Sequence, residues 1–129
     1  MEPSQRDLFK QAVFRGAPLP AGWGGDFAII TAYDPEGKAV SAADNAAADL
    51  ALEAELRARG LRAHRVTGGS ADGTHAEPGW AVELSLPEAI ALGRRYRQLA
   101  VFQVRGGWLT LVDCADGAVE DLGRPFRLV

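Results

Sequence analysis

The chain carries a short apolar run at residues 27–33, Phe27-Ala28-Ile29-Ile30-Thr31-Ala32-Tyr33. The segment before it, Gly16 to Gly25, is rich in Gly and Pro, and the Asp34-Pro35-Glu36-Gly37 sequence after it is typical of a turn. A β-rich run bounded in this way is typical of a strand that is buried on both faces. We therefore predict a central strand at residues 27–33.

Two helices and four more strands are predicted downstream of this strand. Ser41 caps a helix that covers residues 41–59 and is stopped by Gly60. Ser85 begins a second helix, which ends near Arg97. The four strands are predicted at residues 62–67, 80–84, 99–104 and 108–113, the last two joined by a Gly106-Gly107 hairpin.

Smaller elements are predicted towards both ends of the sequence. Ser4, with Asp7 three residues later, resembles a helix-capping pair, and the apolar residues that follow predict a helix over residues 4–14. The segment 114–129 is rich in turn residues. Within it, only residues 126–128 are predicted to form a short edge strand.

The order of elements is a helix, then β-α-β-β-α-β, then one hairpin strand. This order predicts an α+β fold with a split βαβ, ferredoxin-like core, whose antiparallel sheet has the strand order 4-1-3-2 and both helices on one face. Gly93 lies on the apolar face of the second helix, where it would allow a close approach to the sheet. We assign residues 1–129 to a single domain, which consists of the N-terminal helix at 4–14, the βαββαββ core at 27–113 and a tail at 114–129.

Composition restricts the class of protein. With 129 residues, of which 47% are hydrophobic and 24% charged, the chain is expected to fold as one globular domain. The net charge of −3 weakens the case for nucleic-acid binding. Cys114 is the one cysteine, so we expect no internal disulfide and a reducing compartment. Because neither a signal peptide nor a membrane-spanning apolar run is visible, a cytoplasmic protein is expected.

Motifs for metals and cofactors are weak in this sequence. His75-Ala76-Glu77 is half of the zinc-deaminase signature, but Cys114 alone cannot supply the Pro-Cys-x-x-Cys half. The spacing of His64 and His75 matches no zinc motif. The chain also has no P-loop, no strand-linked G-x-G-x-x-G and no G-x-S-x-G elbow. We therefore predict no metal and no cofactor.

Several short segments form a series along the chain. They are Thr31-Ala32-Tyr33-Asp34-Pro35, Ser41 with Asn45, Asp72-Gly73 followed by Glu77-Pro78, and Leu92-Gly93-Arg94-Arg95-Tyr96 with Gln98 and Ala100. This series resembles an uncharacterised bacterial family known only as domain-of-unknown-function family 3293. His75 stands where the family usually has Trp, and Leu99 stands where it usually has Asn. No activity is attached to the family, so the resemblance indicates which residues to examine and implies no chemistry.

The predicted topology brings these polar residues to one edge of the fold. The first core helix starts at the end of strand 27–33, the loop between the second and third strands returns to that end, and the second core helix finishes there. Because binding and catalytic side chains concentrate on loops held by a rigid scaffold, this edge is the candidate site. Its candidate ligand-binding residues are Tyr33, Asp34, Ser41, Asn45, His75, Glu77, Arg94, Arg97 and Gln98.

Each candidate also has a structural interpretation. Asn45 continues a leucine stripe on its helix, so it either ties the Asp34–Val40 loop to that helix or contacts a ligand. Glu77 either forms an ion pair with Arg94 or Arg97, or it is a catalytic carboxylate. The arginines either complement the negative end of the helix dipole or form an anion site.

Two functions are compatible with this edge, and a third is weaker. The leading hypothesis is a binding or interaction module that recognises an anionic small molecule or a protein partner, through a helix N-terminus and the arginines. The alternative is a small enzyme in which Glu77 is the general acid or base, while Asn45 and an arginine position the substrate. Nucleic-acid binding would require an open sheet face with exposed aromatic residues. An edge closed by its own hydrogen bonds would favour a structural role, whereas a concave pocket with an unpaired Glu77 would favour chemistry.

Overall fold

The computed structural model describes all 129 residues. It contains three helices, α1 (Pro3–Lys10), α2 (Ala42–Ala58) and α3 (Leu86–Arg95), and a 3-10 turn at Pro35–Gly37. The seven strands are β1 (Val13–Arg15), β2 (Phe27–Thr31), β3 (Ala63–Gly69), β4 (Ala76–Val82), β5 (Ala100–Arg105), β6 (Trp108–Asp113) and β7 (Val119–Pro125). None of the helices is both long enough and apolar enough to cross a membrane.

All seven strands form one antiparallel sheet in the order β1-β3-β4-β2-β5-β6-β7. The predicted α+β class is confirmed, and β5, β2, β4 and β3 have the strand order 4-1-3-2 that the sequence predicts. The sheet is larger than predicted, because β1 extends the β3 edge and β7 extends the β6 edge. The sheet also curls, so that Leu128 beyond β7 forms a parallel bridge with Phe14 of β1.

One face of the sheet, the helix face, packs against α2 and α3. Ser41 caps α2 by accepting a hydrogen bond from the backbone N–H of Asp44 at 3.1 Å, as its sequence predicts. Gly93 of α3 has no room for a side chain, since an added Cβ would lie 2.7 Å from the Cys114 Sγ atom and 2.8 Å from a Val101 methyl. The predicted close approach of α3 to the sheet is therefore confirmed. The core of this face includes Ile30, Leu52, Leu56, Val82, Leu92 and Val112.

The opposite face of the sheet has a second apolar core. Its strand residues include Phe14, Phe27, Ile29, Val66, Phe102, Val104, Leu109 and Leu111. Residues of three other segments pack against them: Phe9 of α1, Leu19 and Trp23 of the β1–β2 loop, and Phe126 and Leu128 beyond β7. These segments cover a large part of the opposite face, whereas an RNA-recognition module leaves one sheet face open.

The N-terminal prediction was wrong in its extent. Helix α1 is capped by Glu2 instead of Ser4 and ends at Lys10, and Val13 and Phe14 lie in strand β1. These two residues pair with Gly69 and Gly68 of β3. Their β-branched and aromatic side chains suit a strand, and the exposed edge of β3 supplies the hydrogen bonds that decide between helix and strand.

The C-terminal segment is also more regular than predicted. Residues Val119–Pro125 form the full edge strand β7, whereas the predicted strand at 126–128 contributes only the single bridge at Leu128. Burial alternates along β7 without one fully buried residue. This strand therefore depends on pairing with β6, which its own polar composition does not reveal.

The largest difference concerns the predicted loop at residues 68–79. Strands β3 and β4 extend into it, so that Gly68 pairs with Glu77 and Thr67 pairs with Pro78, and the connecting turn is short. Pro78 is tolerated because it lies beyond the last β2–β4 pair, Thr31 with Gly79, where a missing N–H interrupts no ladder to β2. Glu77 consequently lies on a strand and not on a loop.

We expect the Gly106→Val, Gly107→Val double variant to be less stable by about 1–3 kcal/mol. Both glycines have positive φ, 54° and 80°, in the hairpin that joins β5 to β6, and no atom lies within 4 Å of an added Cβ. The cost is therefore backbone strain and not a clash. Urea denaturation would measure it, with Gly24→Val as a control because Gly24 does not have positive φ. Equal stability of the double variant and the wild type would contradict the assigned turn.

Candidate functional site

A cleft of about 520 Å³ opens on the opposite face, at the end of the sheet where β2 finishes. Helix α1, strand β1 and the β3–β4 turn surround it. Its apolar walls include Leu8, Phe9, Phe14, Ile29, Val66 and Phe102, and its polar lining includes Gln5, Gln11, Thr31, Asp34, Ser70, His75 and Glu77. A volume of this size is in the range of small-molecule sites.

Glycine makes room for the cleft. Gly68 lies directly across the β3–β4 ladder from Glu77 and across the β1–β3 ladder from Phe14. A Cβ added to Gly68 would lie 3.4 Å from the Phe14 ring. Any larger side chain at this position would therefore enter the space between Phe14 and Glu77. Gly68 lies on strand β3, and because it has no side chain, its backbone forms part of the cleft floor.

Glu77 is the carboxylate at the polar end of this cleft. Its side chain is only 22% exposed, and the nearest basic side chain is that of His75, whose Nε2 atom lies 3.8 Å from the Glu77 Oε1 atom. Burial is the main cause that raises the pKa of the Glu77 carboxyl; the Asp34 carboxylate raises it further, while His75 lowers it. No protein group donates a hydrogen bond to the Glu77 side-chain carboxyl. Both of its oxygens thus remain available to a ligand.

Asp34 lies beside Glu77 in the cleft lining and is held in place by Asn45. The Asn45 Nδ2 atom donates to the Asp34 Oδ1 atom at 2.9 Å, and the Asn45 Oδ1 atom accepts from the Asp34 backbone N–H at 2.9 Å. Asp34 has a left-handed backbone, with φ of 46°, which Asp tolerates better than most residues. Buried Asn45 therefore ties the loop to α2, which confirms its structural interpretation.

The arginines do not reach the cleft. The Arg94 guanidinium donates to the backbone carbonyls of Cys114 and Ala115, at 2.5 and 3.2 Å. Arg97 pairs with Glu36 at 2.7 Å. The predicted ion pair between Glu77 and one of these arginines was therefore wrong. Both guanidinium groups are occupied near the C-terminal end of α3, where they help to fix that end to its neighbours.

Of the remaining candidates, Gln98 and Ser41 support the edge from outside the cleft, whereas His75 lines it. The Gln98 Nε2 atom donates to the backbone carbonyl of Tyr33 at 3.1 Å, and Ser41 caps α2. His75 lies at the cleft and is largely exposed. The cleft is thus lined by three of the nine candidates, Asp34, His75 and Glu77, while Tyr33, Ser41, Asn45, Arg94, Arg97 and Gln98 are not part of its lining.

Sequence reasoning missed the part of the cleft that α1 and β1 supply. Gln5, Phe9 and Phe14 line the site, although their own sequence neighbourhood predicts only an amphipathic helix. The one available signal is the Gly68-Gly69 doublet, which lies in the segment predicted as a loop. A glycine in a strand often marks a place where another group approaches closely.

A second polar cluster was also missed, on the helix face. Buried Asp49 of α2 accepts two hydrogen bonds from the Arg65 guanidinium, at 2.9 and 2.8 Å, and one from the Trp80 Nε1–H at 3.1 Å. The Arg65 Cζ atom lies 3.8 Å from the centre of the Trp80 ring. Asp49 is the main cause that raises the pKa of Arg65. Because its hydrogen-bonding groups are matched internally, this cluster joins α2 to β3 and β4 and is structural.

Comparison with known protein families identifies one family whose model matches the chain. A family model described as a protein of unknown function (DUF3293) matches residues 30–101, more than half of the chain. The chain belongs to this family. The DUF3293 region runs from β2 into β5 and contains Asp34, His75 and Glu77, whereas α1, β1 and Phe102 lie outside it. No curated protein and no solved structure matches the chain.

We expect Asn45→Ala to lower the free energy of unfolding by roughly 1–3 kcal/mol, because it leaves the partly buried Asp34 N–H without an acceptor. Urea denaturation would measure the loss. Leu50→Ala is the control, since Leu50 is on the same helix, is 64% exposed and should change stability by less than about 0.5 kcal/mol. If both variants behaved alike, the tie between Asn45 and Asp34 would contribute nothing to stability.

We expect the stability of Glu77→Gln to improve relative to that of the wild type as the pH rises from about 4 to 8. The measured quantity is the difference in the free energy of unfolding between the two proteins. The pKa of Glu77 is raised in the folded protein above its ordinary value of 4.5. The protonated carboxyl therefore favours folding below that value, and this contribution is lost as the pH rises through the folded pKa. Gln does not titrate. Denaturation of both proteins at several pH values would show the trend, and a stability difference that does not change with pH would contradict it.

Proposed function

We propose that this protein binds a small, largely apolar molecule in the cleft, with Glu77 and Asp34 contacting its polar end. The observation that carries the proposal is the Glu77 carboxyl, which is mostly buried beside apolar walls and accepts no hydrogen bond. A largely desolvated carboxyl that receives no hydrogen bond from the protein can satisfy its oxygens only with water or a ligand, so its position in a cleft of ligand size supports a role in binding.

The ligand class differs from the anion that the sequence suggested. That expectation relied on Arg94 and Arg97, which are bound to carbonyls and to Glu36 outside the cleft. No lysine or arginine is among the 22 residues that line the cleft. An anionic group placed beside Asp34 and Glu77 would meet like charges, and this supports a ligand that is not an anion.

A fragment screen observed by two-dimensional NMR of the labelled protein would test this proposal. Binders should shift the amide signals of Gly68, Glu77 and Phe102. Ala71→Trp, at the exposed rim of the cleft, should block them. Ala46→Trp, at an exposed position on α2, is the matched control and should leave binding unchanged. Absence of any cleft binder, or equal binding to both tryptophan variants, would contradict the proposal.

A small enzyme is the second candidate, because the concave cleft contains an unpaired Glu77 whose pKa is raised by burial and which lies beside a second carboxylate, Asp34. Two neighbouring carboxyls in different environments are a common arrangement for general acid–base catalysis. Asn45 is engaged by Asp34, so Asp34 and His75 are better placed to orient a substrate. NMR of a bound compound over time would detect turnover. Glu77→Gln should then retain binding and lose turnover, whereas an unchanged compound would favour binding alone.

We also propose that β2–β5 with α2 and α3 constitute a ferredoxin-like unit to which α1, β1, β6 and β7 have been added. The strand order β5-β2-β4-β3, its antiparallel pairing and the two helices on one face support this classification. Superposition of an experimental structure of a family member on ferredoxin-like domains would test it.

A further inference from the structure

The charges in the cleft lining have one sign apart from a histidine. The lining contains two carboxylates, Asp34 and Glu77, and no lysine or arginine. His75 is the only residue of the lining that can become cationic. His75 is 62% exposed and lies 3.8 Å from Glu77, too far for a hydrogen bond. The protein therefore leaves the negative charge at this end of the cleft only partly compensated.

We infer that the ligand is an amine that carries an apolar, aromatic body, with its ammonium group bound between Glu77 and Asp34. This inference rests on the proposed function and specifies the class of molecule that the cleft receives. An ammonium group has three N–H donors and a positive charge. It would supply both the hydrogen bonds that Glu77 does not receive from the protein and the charge that the lining does not contain.

The two carboxylates are prepared for this contact in different ways. The Asp34 Oδ1 atom is already fixed by the Asn45 amide, so Asp34 presents its carboxylate at a defined position. Glu77 has no donor on either oxygen and lies on rigid strand β4, where Gly68 opposite it leaves space. A bound ammonium ion would reduce the repulsion between the two carboxylates, whereas a bound carboxylate would increase it.

Aromatic side chains form the apolar part of the cleft. Phe14 and Phe102 meet edge to face, with ring centres 5.0 Å apart, and Phe9 of α1 meets Phe102 at 6.2 Å. Rings in this arrangement offer edges and faces to a further ring. The cleft therefore suits a phenyl group joined to an amine by a short aliphatic linker, with the ring towards Phe102 and the amine towards Glu77.

Three probes that differ only in their polar end would test the inference: 4-phenylbutylamine, 4-phenylbutan-1-ol and 4-phenylbutyrate. We expect calorimetry or NMR titration at pH 7.5 to show the amine binding at least tenfold more tightly than the other two. Glu77→Gln should remove this preference, and Glu53→Gln, the matched change on an ion pair of α2 outside the cleft lining, should keep it. Added salt should weaken the amine more than the alcohol.

The outcomes separate this inference from the proposed function. Equal affinity for the three probes, or tighter binding of the alcohol or the carboxylate in the cleft, would overturn the amine assignment and leave the cleft as a binding site. A preference for the amine that survives in a folded Glu77→Gln variant would overturn it as well. Failure of all three probes would overturn the amine assignment, while the fragment screen decides separately whether the cleft binds ligands.

Discussion

Phe102→Ala should lower the free energy of unfolding by about 4 kcal/mol. Phe102 is 8% exposed and lies in β5, near the middle of the sheet. Its ring meets Phe14 and Phe9 edge to face on the opposite face. Truncation would remove both aromatic contacts and enlarge the cleft, since rigid neighbouring strands cannot close the space.

Urea denaturation of Phe102→Ala and Phe102→Leu would measure this effect. Leucine retains most of the apolar volume, so its cost should be below about 1.5 kcal/mol. A loss below 1 kcal/mol for the alanine variant would mean that the second apolar core contributes little to folding. The alanine variant should also bind the phenyl-containing amine more weakly, because the aromatic wall is shortened.

Asp49→Ala should cost about 3 kcal/mol, the second large effect. It removes three hydrogen bonds at once and leaves the buried Trp80 Nε1–H without an acceptor. Arg65 is 43% exposed and can recover water, so the cost should stay below that of a fully buried charge pair. Urea denaturation would measure the loss, and Asp49→Asn, which keeps an acceptor for Trp80, should cost less.

A double-mutant cycle would isolate the contribution of the ion pair. In an Arg65→Met background, Asp49→Ala should cost at least 1 kcal/mol less than in the wild type, because no cation is left unpaired. Additive losses would mean that the contact between Asp49 and Arg65 contributes no coupling energy. The stabilising effect of Asp49 would then come from Trp80 and from packing alone.

Local signals predicted most elements of the core. Ser41 and Ser85 cap α2 and α3 as expected, because a side chain that accepts a hydrogen bond from the first turn acts within three residues. Gly106 and Gly107 form the predicted hairpin because few other residues adopt positive φ without strain. These elements were sufficient to predict the strand order of β2–β5. They also predicted the edge of the fold at which Asp34, Asn45 and Gln98 meet.

The candidate site was predicted only in part. The position of Glu77 near Asp34 followed from topology, but its partner did not. Arg97 forms an ion pair with Glu36 because the 3-10 turn at Pro35–Gly37 brings the two side chains together. Which of several charged groups pairs with which is set by distances of a few ångströms, and sequence spacing does not supply such distances.

Sequence alone determined the elements whose signals act over a few residues, namely the caps, the hairpin turn and the strand-and-helix periodicity that specifies the core order. Tertiary structure decided the rest. Residues Val13–Arg15 form a strand because they pair with the edge of β3. Strand β7 likewise forms because it pairs with the edge of β6. Such edge hydrogen bonds come from residues that are far away in the chain, so no local pattern encodes them. The cleft likewise exists only where α1, β1 and the Gly68–Glu77 pair meet.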